Sequence, residues 1–212
     1  MEDLQLSEGA STQAEEQASS TELSPRSKKL QIMQQAYEMK EQGNALYKEG
    51  DYKRALAKYA RVQCYTNAIL PSSDQQVSMF TQMSKKMQQM NTDKDETHAL
   101  QELLATTYLN MAQCFFQTGQ YQKSVEKATL SLGIKREQPK ALFRRAQANS
   151  QRKDYEGAAQ DLEEALVLLT NAGQGECEMA KTVRAELEQV RAKGKEYDKA
   201  VQKKMGGFLT RE

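Results

Sequence analysis

Three segments of the chain repeat the same order of residues, and this repetition constrains the fold more than any other feature of the sequence. In each segment a helical pattern containing a small residue ends at a turn residue, and a tyrosine follows two positions later. The turn residues are Gly50, Gly119 and Lys153. The last two lie 34 positions apart, whereas Gly50 and Gly119 lie 69 apart, which leaves room for an insertion of 35 residues. A period of this length predicts paired helices stacked in an array.

The composition agrees with an all-α fold. The 212 residues include only three prolines and are rich in Ala, Gln, Glu, Lys and Leu, which favour helices. The period resembles that of the tetratricopeptide repeat (TPR). We therefore expect a TPR helical-repeat array of three helix pairs with a C-terminal capping helix, since a solenoid needs an end with a polar outer face.

The chain divides into a tail, an interrupted array and a cap. Residues 1–27 carry six acids against Arg26, a net charge of −5, and contain few large apolar residues. Such a segment cannot bury enough surface to order itself. We expect a disordered acidic and polar tail at 1–30, three repeats at 31–170 with an insertion at about 66–100, a capping helix at 171–205 and a flexible terminus at 206–212.

The insertion contains an apolar stripe at helical spacing, formed by Met79, Phe80, Met83, Met87 and Met90. Two interpretations stay open. The stripe belongs to an extra or elongated helix that packs against the array, which we favour, or it forms an adaptable methionine-rich surface for a client protein.

The cysteines and the hydropathy pattern place the chain among intracellular proteins. Cys64, Cys114 and Cys177 form an odd, widely spaced set without metal-ligand spacing, which is typical of reduced thiols in a cytosolic protein. No apolar run approaches the roughly 20 residues that a membrane span needs, and the acidic start is unlike a signal peptide. We expect a soluble cytoplasmic protein with no membrane span.

Five polar residues are predicted to share the concave face formed by the first helix of each repeat. Lys40 and Asn44 lie four positions apart on one helix, and Lys140 and Arg144 are related in the same way. Asn110 and Arg144 each lie nine residues before their turn residue, so they occupy one repeat position. The register therefore predicts one groove that presents three cations and two amides.

Cations and amides in this arrangement suit an extended peptide that carries carboxylates. Lysine acts as a point charge, and arginine can hold a carboxylate through two parallel hydrogen bonds. Asparagine can bond both the N–H and the C=O of a peptide backbone. A peptide with two carboxylates close together, such as one ending in Asp, is the expected ligand.

Residues 37–205 resemble the TPR domain of chaperone-binding immunophilins and related co-chaperones. The stretch 139–146 and the final charged helix carry much of this likeness. The resemblance implies a five-residue carboxylate clamp for the Glu-Glu-Val-Asp C-terminus of heat-shock protein 90 or 70 chaperones. The matching positions are Lys40, Asn44, Asn110, Lys140 and Arg144.

Two departures from the immunophilin pattern accompany this resemblance. We expect no peptidyl-prolyl isomerase domain before the repeats, because the first 28 residues are too short and too polar, and the insertion is longer than usual. The alternative function is a scaffold or trafficking adaptor that binds another acidic tail or an internal peptide motif. A client protein could also bind through the insertion or the C-terminal helix.

Other classes of function have little support in the sequence. The lone His98 has no partner motif, there is no phosphate-binding loop, and no cysteine lies beside a plausible base, so we do not expect an enzyme. Residues after the tail carry a net charge of only +6, which gives no reason to expect nucleic-acid binding. We expect no metal site and no cofactor.

Overall fold

The computed structural model describes residues 25–70 and 94–209, and within these ranges the chain is helical apart from its turns. The predicted all-α class is confirmed. The helices of the described ranges are α1 (Pro25–Lys48), α2 (Tyr52–Ile69), α3 (Lys94–Gln117), α4 (Tyr121–Ile134), α5 (Pro139–Gln151), α6 (Tyr155–Asn171) and α7 (Glu178–Leu209).

The helices form three pairs, α1 with α2, α3 with α4 and α5 with α6, each joined by a turn of three residues. Short turns of this kind make the two helices of a pair antiparallel neighbours. Successive pairs pack through α2 on α3 and α4 on α5, and α7 packs on α6. The first helices α1, α3 and α5 also contact one another in order. They therefore form one layer, and the second helices form the other.

The turn within each pair needs a residue in the left-handed region of backbone space. The backbone angle φ of this turn residue is 82° at Gly50, 73° at Gly119 and 67° at Lys153. Glycine adopts this conformation without a steric penalty, whereas lysine does so at a cost of about 1 kcal/mol. Asp51 and Asp154 then cap the following helices, since each carboxylate accepts a backbone N–H from three residues further on at 3.0 Å.

Small residues allow the two helices of each pair to approach closely. The position seven residues before the turn residue holds Gly43, Ala112 and Ala146, and all three are buried. A Cβ added to Gly43 would lie 2.6 Å from Cε1 of Tyr59, which packs from α2. The glycine therefore makes room for a fully buried aromatic ring beneath the first helix.

Several element boundaries differ from those expected from the sequence. Helix α1 begins at Pro25 and not near residue 30, because proline fits the first helical turn and an ion pair between Lys29 and Glu96 ties this end to α3. Helix α2 continues to Ile69, where the buried Leu70 ends it, and α3 already starts at Lys94.

The last helix is also longer than expected. It runs to Leu209, through Gly206 and Gly207, where the sequence predicts the start of a flexible terminus. A glycine within a helix costs about 1 kcal/mol relative to alanine and does not by itself end the helix. The acidic segment at 1–24 and the methionine stripe at 79–90 lie outside the described residues. No helix in the described ranges is both long and apolar enough to cross a membrane.

Candidate functional site

Two adjoining concavities lie on the layer formed by the first helices. The first has a volume of about 260 Å³ and is lined by Glu41, Asn44, Tyr47, Lys48, Tyr59, Asn110, Gln113 and Arg144. The second, of about 440 Å³, is lined by Tyr47, Gln113, Lys140, Phe143, Arg144, Gln147, Met179, Thr182 and Val183. Tyr47, Gln113 and Arg144 belong to both, so the two concavities form one groove, and α7 supplies a wall at its far end.

The side-chain amide of Asn44 is held in a defined orientation. Its Oδ1 accepts hydrogen bonds from the hydroxyl of Tyr59 at 2.8 Å and from Nδ2 of Asn110 at 3.0 Å. Both donors come from other helices, and together they occupy the two acceptor sites of an amide oxygen. The amide nitrogen of Asn44 is therefore the side left to face the groove, where it donates to Glu41 at 3.2 Å.

Arg144 lies between the two concavities and is partly buried. Its Nη1 donates to the backbone carbonyl of Leu109 at 3.0 Å, which anchors the guanidinium against α3. Burial lowers the pKa of Arg144 from its usual value, although an arginine still keeps its charge at neutral pH. Within the described residues this is its single hydrogen bond, so the other N–H groups of its planar fork remain for a ligand.

The two lysines of the predicted set differ in their surroundings. Lys140 is exposed, lines the second concavity one helical turn before Arg144, and forms no ion pair with any described residue. The ammonium of Lys40 lies 3.3 Å from a carboxylate oxygen of Glu41 and 5.8 Å from the centre of the Tyr37 ring. Lys40 lines neither concavity and lies beside the first one.

The structure therefore brings Asn44, Asn110 and Arg144 together in one concavity. Lys140 joins Arg144 in the second concavity. Lys40 contacts the first concavity through its ion pair with Glu41, which lines it.

The described residues contain no group of three or more His, Cys, Asp or Glu side chains that could bind a metal ion.

Among the groove residues that sequence reasoning missed, Glu41 and Tyr59 contact the side chain of Asn44 directly. A signal for Glu41 was present, since it lies nine residues before Gly50, the repeat position that Asn110 and Arg144 occupy in the next two repeats. Tyr59 lies on the second helix of its pair, outside the face from which the site residues were predicted. Its ring is buried, but its hydroxyl reaches the groove, and burial raises its pKa well above the usual value, so it stays a neutral donor.

Cys114 lies beneath this site and has no chemical role there. Its side chain is fully buried, and burial raises the pKa of its thiol to about 11. A thiol in such surroundings stays protonated and packs as a small apolar group.

Comparison with solved structures identifies the fold. The C-terminal TPR-containing domain of a Plasmodium falciparum FK506-binding protein matches with a TM-score of 0.59 at 23% identity, covering 81% of this chain and 95% of that one. The chain has the tetratricopeptide-repeat fold. The TPR domain of Arabidopsis OM64 matches this TPR array with a TM-score of 0.51 at 23% identity, over 74% of this chain and 98% of that one.

A third TPR neighbour was solved with a ligand. The second TPR domain of human RPAP3, in complex with the HSP70 peptide SGPTIEEVD, matches with a TM-score of 0.51 at 21% identity. The match covers 76% of this chain and 98% of that domain.

Sequence relatives of the TPR array belong to longer proteins, and no protein-family model matches the sequence. The peptidyl-prolyl cis-trans isomerase PASTICCINO1 of Arabidopsis thaliana is 28% identical over 130 residues, which are 61% of this chain and 17% of the relative. The isomerase FKBP4 of Homo sapiens is 26% identical over 139 residues, 66% of this chain and 26% of the relative. The chain thus spans about a quarter or less of the length of these relatives.

Proposed function

We propose that this TPR array is a protein-interaction module of the co-chaperone type that binds the acidic C-terminal peptide of heat-shock protein 70 or 90 class chaperones. The proposed clamp consists of Lys40, Asn44, Asn110, Lys140 and Arg144. The observation that carries the proposal is the convergence of Asn44, Asn110 and Arg144, from three successive repeats, on one concavity.

The donors in the groove fit a carboxylate ligand. Asn44 presents its amide nitrogen because its oxygen is already bonded from two sides. Arg144 retains most of its guanidinium N–H groups, and Lys140 adds an exposed ammonium in the second concavity. Charge-assisted hydrogen bonds of this kind are roughly twice as strong as neutral ones. A C-terminal Asp offers two carboxylates to these donors at once.

The second concavity has room for the residues that precede the terminal Asp. Phe143 from α5 and Met179 and Val183 from α7 provide apolar contact area beside Lys140. We expect an apolar ligand side chain to pack there, while the peptide backbone runs past Gln113 and Gln147. The peptide bound to the RPAP3 domain ends in Glu-Glu-Val-Asp, which combines a terminal Asp with such an apolar residue.

This role is one of binding and not of catalysis. The solved structures compared above are TPR domains, and the aligned part of the FKBP4 relative corresponds to the repeat region of this chain. The cytoplasmic location stays a prediction from the sequence, as does the absence of nucleic-acid binding. A client protein that binds through the insertion or α7 also stays a proposal from the sequence.

A titration with a fluorescent SGPTIEEVD peptide tests this proposal. We expect a dissociation constant in the micromolar range, about −8 kcal/mol. Lys140→Ala should weaken binding by about tenfold or more, because it removes a charge from the groove. Lys199→Ala removes the same charge from an exposed position on α7, sixteen residues beyond Val183, and serves as the matched control.

Each outcome of this titration has a clear meaning. Loss of affinity in Lys140→Ala with an unchanged Lys199→Ala supports binding in the groove. Equal losses in both variants, or no binding by the parent protein, would contradict it and favour a scaffold that recognises another tail or motif.

A further inference from the structure

Glu41 is the one acidic residue among those that line the two concavities of the groove. The other charged residues of that lining are Lys48, Lys140 and Arg144. Glu41 also holds the repeat position at which the next two repeats place Asn110 and Arg144, nine residues before the turn. The first repeat therefore directs a carboxylate toward the groove at a position where the other repeats direct donors.

The carboxylate of Glu41 engages two donors of the proposed clamp. Its Oε1 lies 3.3 Å from the ammonium of Lys40, and its Oε2 accepts from Nδ2 of Asn44 at 3.2 Å. These two contacts lower the pKa of the Glu41 carboxyl, with the Asn44 bond as the larger cause, so the group is ionised at neutral pH. Glu41 thus makes, from within the chain, the contacts that a ligand carboxylate would make with the first repeat.

We propose that Glu41 is a built-in competitor, a carboxylate that a bound peptide must displace from Lys40 and Asn44. This inference rests on the proposed function, because it assigns the same donors to the peptide. Two carboxylates that share one site repel each other, so both cannot remain ionised on these donors without a cost. The Glu41 side chain is 68% exposed and can turn toward solvent when the peptide arrives.

The exchange of one carboxylate for another limits the affinity of the groove. In the free site Glu41 already pairs with Lys40 and accepts one hydrogen bond from Asn44, so at these donors the peptide gains only the difference between its own contacts and those of Glu41. An exposed pair of this type contributes about 0.2–1 kcal/mol. Removal of the competing charge should therefore tighten peptide binding by about 1.4- to fivefold.

Two substitutions separate the charge of Glu41 from its bulk. Glu41→Gln keeps the shape and removes the charge, and Glu41→Ala removes the side chain and favours helix. Glu38→Gln is the matched control, since Glu38 is exposed on the same helix one turn earlier, bonds to Gln34 and lines neither concavity. All three variants change the net charge by the same amount. Each is titrated with the SGPTIEEVD peptide, and thermal melts check that the fold is retained.

The expected result is tighter binding by both Glu41 variants, with Glu38→Gln changed by less than half as much. Equal gains in all three variants would overturn the inference, because they would reflect net charge alone. Unchanged or weaker binding by both Glu41 variants, with a parent protein that does bind the peptide, would also overturn it and leave the proposed function standing. If neither the parent nor any variant binds, the proposed function fails, and the inference fails with it.

Discussion

Nδ2 of Asn110 donates to Oδ1 of Asn44 across a gap of 66 residues in the sequence, at a distance of 3.0 Å. This hydrogen bond joins the first helices of two successive repeats within the groove. Together with the hydroxyl of Tyr59 it determines which side of the Asn44 amide faces a ligand. The repeats therefore contribute to the same site and also orient one another's side chains.

The hydroxyl of Tyr59 is expected to matter for both peptide binding and folding. Tyr59→Phe keeps the buried ring but removes one of the two donors to Asn44, which frees the amide to rotate. The lost hydrogen bond should cost about 1 kcal/mol of folding free energy, and peptide affinity should fall because the Asn44 amide is no longer held in one orientation. Peptide titration and a thermal melt measure the two effects. Tyr65→Phe is the control, because it removes a hydroxyl from a partly buried tyrosine of the same helix, and it should leave peptide affinity unchanged. An equal loss of peptide affinity in Tyr65→Phe would refute the role of Tyr59.

Arg144→Ala should weaken binding and also lower stability slightly. Loss of a partly buried cation from a charge-paired contact should cost roughly 2–3 kcal/mol of binding free energy. Loss of its hydrogen bond to the Leu109 carbonyl should cost about 1 kcal/mol of folding free energy. Lys140→Ala, at an exposed position without such a bond, should leave the melt unchanged. Titration and circular dichroism melts are the measurements, and a parent-like affinity for Arg144→Ala would remove it from the site.

Gly43 should tolerate no side chain. Gly43→Leu forces carbon atoms into the space of the Tyr59 ring, at an overpacking cost of about 1–3 kcal/mol or more. Gly133 is a suitable control, since a Cβ there would have no neighbouring atom within 4 Å. Gly133→Ala should therefore be neutral or stabilising. Chemical denaturation compares the two, and a Gly43→Leu protein as stable as its parent would contradict the packing described.

Lys153 offers a stabilising substitution. It holds a φ of 67° at the position where the other two repeats have glycine. Lys153→Gly should relieve about 1 kcal/mol of strain, reduced by the loss of the lysine contact with Tyr197, 6.0 Å from its ring centre. An increase in the thermal midpoint is expected. A clear decrease would mean that the contact with Tyr197 outweighs the strain.

The repeat register was sufficient to predict the array and four of the residues that line the groove, Asn44, Asn110, Lys140 and Arg144, whereas Lys40 lies beside it. Gly50, Gly119 and Lys153 mark equivalent turns, so the positions before them point to equivalent faces. Helix ends were less predictable, because the start of α1 depends on the contact between Lys29 and Glu96, which are 67 residues apart. Local patterns carry no information about such a pair.

The fine arrangement of the groove was not predictable from the register. The orientation of the Asn44 amide depends on Tyr59, whose position depends in turn on the space that Gly43 leaves. Glu41 occupies the same repeat position as Asn110 and Arg144, but a search for hydrogen-bond donors alone does not select an acidic residue. The assignment of the five residues to a carboxylate clamp stays a prediction until binding is measured.

The most direct test of the central claim compares the SGPTIEEVD peptide with the same peptide amidated at its C-terminus. Amidation replaces the terminal carboxylate by a neutral carboxamide and leaves the rest of the peptide unchanged. Competition titrations therefore report the contribution of the terminal carboxylate. If the groove recognises a terminal carboxylate, the amidated peptide should lose most of its affinity. Equal affinity for both peptides would contradict the clamp and indicate recognition of an internal motif.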